Sequence, residues 1–300
     1  MKLTMGTRGS ALALAQSGMI AAELRRLSPG LAIETVVIKT SGDRFSAAKP
    51  DEAYKLGSGA KGLFVKEIEE ALIDRRVDFA VHSAKDLPAQ LAPRLAIAAY
   101  PQREDPRDAF IPRAGARLAD LAQGARVATS SLRRQVQLAL ARPDLKFTPM
   151  RGNIDTRLRK LGEGACDGLL LAAAGLRRLG RADVAHELLP TELMLPSPAQ
   201  GALAVEIRED DDATAGLVAR LDHASTRLTV EFERAVLARV GGGCSTPLGA
   251  LARVEGSGVS VQIFLAEADG SRARRFTRRC DDPRRRDEFV ASWVAELRAG

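Results

Sequence analysis

Residues 126–180 read RVATSSLRRQVQLALARPDLKFTPMRGNIDTRLRKLGEGACDGLLLAAAGLRRLG. Short strand-like runs at 126–129, 146–150 and 168–173 alternate with helix-periodic segments at 131–142, 154–162 and 175–180. Strand–helix–strand alternation is the pattern of parallel sheets whose crossovers are helices, so this stretch predicts an α/β layer.

The same alternation extends outward. Residues 3–9 read as a strand and turn, 11–27 as an Ala- and Leu-rich helix with Ser10 as its N-cap, and 31–39 as a strand. Residues 40–62 lack apolar periodicity and read as a long loop of the kind that serves as a lid. Residues 63–76 place Phe64, Ile68, Ala71 and Leu72 on one helical face, and strands follow at 77–81 and 95–100. Residues 202–208 return to strand, ahead of helices at 213–221 and 225–240. The character then changes: 249–255, 259–267 and 272–279 read as antiparallel strands with glycine turns, closed by a helix at 286–298. The expected fold class is α/β: two α/β domains and a small C-terminal α+β domain.

Composition narrows the function. The chain has 300 residues and a net charge of +7, which favours anionic partners. Aromatic residues are only 4%, too few for the stacking platforms of single-strand nucleic-acid binding. The basic clusters Thr277-Arg278-Arg279 and Pro283-Arg284-Arg285-Arg286 read as a solvated face. Three widely spaced cysteines and three histidines, with no C-x-x-C pair, argue against a metal site or a disulfide framework. No apolar run is long enough to span a bilayer, so no membrane partner is expected. The first residues lack the apolar core of a signal peptide, and the cytoplasm is the expected compartment.

Three strand–helix junctions carry arginine. They are Thr7-Arg8-Gly9-Ser10, Thr129-Ser130-Ser131-Leu132-Arg133-Arg134 and Met150-Arg151-Gly152-Asn153-Ile154-Asp155-Thr156-Arg157. Cations are disfavoured at helix N-termini, so their recurrence there reads as a cleft for a polyanion. His82-Ser83-Ala84-Lys85-Asp86 also follows a strand. Asp86 among these cations can bind an N–H group and stabilise a developing positive charge, or serve as a salt-bridge partner. His82 reads as a structural hydrogen-bonding residue rather than a base. Cys244, after Gly241-Gly242-Gly243, sits on a backbone-exposed loop where a thiol can reach a ligand; Cys166 opens an apolar stretch and reads as core.

Together these blocks resemble the porphobilinogen deaminases. Glu233-Arg234 and Gly242-Gly243-Cys244 with Thr246-Pro247-Leu248-Gly249 are similar to that family's cofactor-attachment signature. Lys61-Gly62-Leu63-Phe64, Val81-His82-Ser83, Arg103-Glu104-Asp105-Pro106-Arg107-Asp108 and Gln200-Gly201-Ala202 follow the family's order across nearly the whole chain. The resemblance implies two periplasmic-binding-protein-like (type II) α/β domains and a cysteine-bearing third: 1–100 with 200–219, 101–199, and 220–300. It implies a monomer with a dipyrromethane cofactor bonded to Cys244 as a thioether. Four porphobilinogens then add with loss of ammonia, and hydrolysis releases the linear tetrapyrrole hydroxymethylbilane. Asp86 is carried over as catalytic. Lys85, Asp86 itself, Thr129, Ser130, Ser131, Arg133, Arg134, Arg151, Gly152, Asn153 and Arg157 are carried over to the cofactor. Arg8, Ser10, Gln16, Lys61, Arg178 and Gln200 are carried over to the substrate.

This sequence departs from the family's pattern in three places. Two extra residues separate Lys55 from Lys61, and Lys61 aligns better. Ala128 and Ala199 stand where glycine is usual, changes expected to be tolerated. An anion-binding protein of the same two-lobed fold explains the arginines but not Cys244. A nucleic-acid binder predicts aromatic or helix-turn-helix features that the sequence lacks.

Overall fold

The computed structural model describes residues 1–41, 65–181, 183–184, 186–241 and 246–299. Most of the loop expected at 40–62, together with Lys55, Lys61 and Cys244, lies outside the described residues. The chain divides into two compact units, Met1–Glu104 with Ala202–Leu228 and Asp105–Gly201 with Thr229–Gly300.

In the first unit, β1 (Lys2–Thr7) leads into α1 (Ala11–Leu27) and β2 (Ala32–Val37). Then come α2 (Lys66–Ile73), β3 (Phe79–Ser83) and β4 (Leu95–Ala99). Ser10 starts α1 as anticipated, its Oγ accepting from the Ala13 amide at 3.3 Å, and Arg25 and Arg26 complement the dipole in its last turn. Among the described residues the sheet order is β2-β1-β3-β10-β4, where β10 is Leu203–Arg208. The parallel pairing expected from strand–helix alternation holds for part of this sheet, which is mixed. β1 runs parallel to β2 and β3, but β10 runs antiparallel to both β3 and β4. The reason is connectivity: β10 enters after the second α/β layer rather than through a crossover helix. One sheet face packs Met5, Phe79 and Val205 against Ile20 and Leu24 of α1. The other packs Ala80 and Leu95 against Ile68, Ala71 and Leu72 of α2.

The second unit holds β5 (Asp108–Pro112), β6 (Arg126–Ala128), α3 (Leu132–Ala141), β7 (Lys146–Thr148) and α4 (Ile154–Gly162). β8 (Gly168–Ala172), α5 (Ala173–Arg178) and β9 (Glu187–Leu188) complete its first layer, in the order β7-β6-β8-β5-β9. β5, which the sequence pattern did not reveal, is antiparallel to β8. Gly168 permits that pairing, because a Cβ there would lie 2.2 Å from the Phe110 ring. Beyond α6 (Asp212–Val218) and α7 (Ala224–Val240) come β11 (Leu248–Glu255), β12 (Gly258–Leu265) and β13 (Arg274–Cys280), which form the anticipated antiparallel sheet. α8 (Arg286–Ala299) closes the chain. Leu251, Phe264 and Ala266 pack with Val136 and Leu195, so this sheet shares a core with the α/β layer of the second unit. Arginines of β13 and α8 meet surface acids, as in Arg279–Asp281 and Arg286–Glu231, pairs that contribute little stability.

Candidate active site

A small pocket, open to solvent, lies in the first unit and is lined by Arg8, Ser10, Gln16, His82, Ser83 and Asp86, among others. Local structure explains how these side chains meet. β1 ends at Thr7, whose Oγ1 accepts from Ser17 at 2.7 Å, so the turn carrying Arg8 and Ser10 folds back onto α1. Gln16, buried on α1, donates from Nε2 to Ser83 Oγ at 2.9 Å and ties that helix to the end of β3. A single 3₁₀ turn, Ala84–Asp86, then brings Asp86 to the pocket. Asp86 is half-buried and makes no ion pair with another described residue. An arginine, an uncommitted carboxylate and several neutral donors in one pocket suit a ligand that carries both an anionic arm and an N–H group.

The second unit groups its charges differently. Arg133 and Arg134 open α3, as the sequence indicates, yet both are buried and both turn onto Asp108. Arg133 Nη2 lies 2.8 Å from Asp108 Oδ2, and its Nη1 donates to the Leu195 carbonyl at 2.6 Å. Arg134 donates to Asp108 Oδ1 from Nε at 3.0 Å and from Nη2 at 2.7 Å. Gln200 Nε2 adds a bond to Asp108 Oδ1 at 2.9 Å and another to the Pro106 carbonyl at 2.8 Å. Burial pushes the Asp108 carboxyl up, but the charges of Arg133 and Arg134 and the bonds from Arg134 and Gln200 outweigh it. They hold the group well below the usual carboxylate range. Burial lowers Arg133 from the ordinary arginine value, a shift that Asp108 partly offsets.

Around this core the other predicted residues have identifiable work. Ser130 Oγ donates to the Met150 carbonyl at 2.9 Å and joins two strand ends, while Thr129 Oγ1 accepts from the Ser131 amide at 3.1 Å. Asn153 caps α4, accepting from the Thr156 amide at 2.8 Å. Gly152 has φ +113, and a Cβ there would meet Thr156 at 2.9 Å, so only glycine fits. Arg157 donates to the Gly152 carbonyl at 2.8 Å. Burial, and then the charge of Arg134, push Arg157 down to about 10. Among the described residues no acidic side chain pairs with it. Arg178 donates to the Gly201 carbonyl. Arg151 is half-buried beside Gly152, and Lys85 is half-buried within the first unit's 3₁₀ turn.

Three buried acids have structural roles that the sequence does not assign; Glu233, like Asp108, stands there only within a motif, and Glu206 in none. Paired arginines at a helix start do call for a counter-charge. Glu206 receives His82 in the first unit. Glu233, on α7, accepts from the Ala199 amide at 2.6 Å and from the Ala252 amide at 2.9 Å, and so ties α7 to the Gln200 segment and to β11. Ala199 itself has φ 62, in the left-handed region that explains why glycine is usual there.

Two family models match: residues 3–216 match the porphobilinogen deaminase dipyromethane cofactor binding domain, and residues 227–296 its C-terminal domain. The chain is 49% identical to the porphobilinogen deaminase of Sorangium cellulosum, covering 100% of this chain and 99% of that protein. It is 49% identical to that of Roseiflexus castenholzii over 91% of this chain and 88% of the relative. Among solved structures it is similar to a TRAP periplasmic solute binding protein from Desulfovibrio salexigens, at 12% identity and a TM-score of 0.45, covering 78% and 74% of the two chains. With both models matched in order and half of its residues shared with such proteins over its full length, this chain belongs to the porphobilinogen deaminase family.

Proposed function

We propose that this chain is a cytoplasmic, monomeric hydroxymethylbilane synthase whose dipyrromethane is bonded to Cys244 and whose reacting pyrroles meet Asp86. Membership of the family makes it a transferase of tetrapyrrole biosynthesis that polymerises porphobilinogen. The attachment point, the residue roles and the three-domain division are the finer parts of this reading.

The residues present fit the cofactor. Arg133, Arg134 and Asp108 together keep a net positive charge in a buried place. Arg157 is desolvated beside them and has no acid among the described residues. Acetate and propionate carboxylates supply the missing counter-charge through charge-assisted bonds. Within the second unit, Arg133, Arg134, Arg151 and Arg157 would hold the group, with Ser130, Ser131 and Asn153 shaping the turns that carry them. When bound, the dipyrromethane supplies the pyrrole carbon to which substrate is joined.

The observation that carries the reading is the pocket uniting Asp86 with Arg8. Arg8 binds a carboxylate arm of porphobilinogen, and Ser10, Gln16 and Ser83 offer hydrogen bonds around it. The carbon–nitrogen bond of the aminomethyl arm, protonated as an ammonium group, breaks with its electron pair on the departing ammonia, and the positive charge passes to the pyrrole. Asp86 accepts a bond from the pyrrole N–H and stabilises that charge as it develops. A preorganised carboxylate in a partly desolvated site does this better than water, because it needs no reorientation at the moment of reaction.

The intact mass of the purified protein tests the attachment. The wild type should exceed its sequence mass by two porphobilinogens less two ammonias. Cys244→Ala should lack that increment, while Cys166→Ala and Cys280→Ala should keep it. An unmodified wild type from a porphobilinogen-producing host overturns the reading.

A further inference from the structure

Two buried ionisable side chains stand next to the Asp86 pocket without a part in the chemistry above. In the β3–β10 ladder His82 lies opposite Ala204 and Glu206 opposite Ala80, so the two are diagonal neighbours on one sheet face. His82 Nε2–H donates to Glu206 Oε2 at 3.0 Å, and the side chains are 4% and 0% exposed. Glu69, on α2, faces the same group, its carboxyl raised first by burial and then by the charge of Glu206. Glu206 Oε1 and Glu69 Oε1 are both buried with no hydrogen-bond partner among the described residues.

Stability gives no reason for this arrangement. A buried hydrogen-bonded polar pair is often no better than well-packed apolar residues of the same volume, and buried acceptors without partners make it worse. Position gives a reason. His82 lines the same pocket as Asp86, and only Ser83, Ala84 and Lys85 separate them. Along the connection Gln16 Nε2 donates to the Ser83 hydroxyl, and the Ala84 amide donates to the Ala202 carbonyl at 3.0 Å. The imidazole torsion is intrinsically broad, and the directional bond that the ring donates to Glu206 selects one orientation.

We propose that Glu206 and His82 are positioning residues for Asp86: Glu206 fixes the His82 ring, and the ring, on the pocket wall, holds the turn that presents the carboxylate. The inference rests on the reading that Asp86 acts on the reacting pyrroles.

The test uses the cofactor-loaded enzyme with both residues replaced, His82→Leu with Glu206→Leu. Its melting temperature should be no lower than that of the wild type, and its intact mass should show full cofactor loading. KM should stay within about 3-fold while kcat falls by about 10- to 100-fold, the scale of a small displacement of a reacting group. Glu206→Gln keeps an acceptor for the ring N–H and should recover kcat to within about 3-fold of wild type, since it restores the orienting bond. In proton NMR the slowly exchanging His82 Nε2–H should be visible in wild type and Glu206→Gln and absent in Glu206→Met. Should the double variant fail to fold or load, Glu206→Met takes its place with the same expected loss of kcat. A folded, loaded variant with wild-type kcat overturns the proposal, as does a Glu206→Gln enzyme as slow as the double variant. Asp86→Asn, measured alongside, separates the two levels: wild-type turnover there removes the underlying reading itself.

Discussion

The two units use an aspartate in opposite ways. Asp108, in the second, is fully buried, with Arg134 and Gln200 bonded to Oδ1 and Arg133 at ion-pair distance from Oδ2. Asp86, in the first, is half-buried, lines a pocket and pairs with no other described residue. A fully buried carboxylate flanked by two guanidinium groups is out of a ligand's reach; its work is to hold those groups together against their mutual repulsion. An uncommitted carboxylate in a pocket is costly to leave unpaired and available to a substrate. Charge alone does not distinguish the two, but coordination does.

Removing the buried, ion-paired one should produce the largest stability change. Asp108→Ala leaves two buried guanidinium groups without their counter-charge, which should cost about 3–5 kcal/mol. Urea unfolding checks it, with Asp86→Asn expected to stay within about 0.5 kcal/mol of wild type. Equal midpoints for Asp108→Ala and wild type would erase the contrast. The pH dependence carries a matching sign. Because the folded Asp108 carboxyl is held below its unfolded value, its contribution is complete above the ordinary carboxylate range and is lost only as pH falls through the depressed value. Asp108→Ala should lack that acid limb.

A smaller effect of opposite sign is expected at Ala199. Its φ of 62 costs an L-residue about 1–2 kcal/mol, less the entropy that glycine adds to the unfolded chain. Ala199→Gly should therefore raise the unfolding midpoint modestly, and an unchanged or lowered midpoint would show that Glu233 has already absorbed the strain. The expectation that this alanine is simply tolerated is thus sharpened into a measurable cost.

The smallest effect belongs to Glu69 in the first unit. Burial and Glu206 raise its carboxyl in the folded protein, so the folded state keeps a proton that the unfolded state has released. Stability should fall as pH rises from the ordinary glutamate value through the raised one. Glu69→Gln should flatten that slope, and an unaltered slope would place its origin elsewhere.

Much of this was legible in the sequence because it is written locally. Ser10 as a cap, the arginines after strand ends, and glycine where a side chain cannot fit are all properties of a few consecutive residues. Pairing across the fold is not. β5 is short, lies between Pro106 and a terminal Pro112, and shows no period that marks it as a strand. Its antiparallel place beside β8 brings Asp108 to Arg133 and Arg134, and nothing local encodes that direction. β10 reads clearly as a strand, yet its reversal between β3 and β4, which puts Glu206 against His82, depends on the route of the whole chain. The arginines were therefore visible as an anomaly, while the buried acid that holds them was not.

Single-turnover kinetics of Asp86→Asn, with mass detection of each enzyme-bound species, tests most directly whether the uncommitted carboxylate acts in the chemistry. The substitution keeps the shape and removes the negative charge that offsets the cation. The variant should fold, melt with the wild type and bind porphobilinogen, yet lose nearly all turnover. If Asp86→Asn instead elongates and releases product at close to the wild-type rate, Asp86 is a bystander in its pocket, and stabilisation of the developing cation must come from another group.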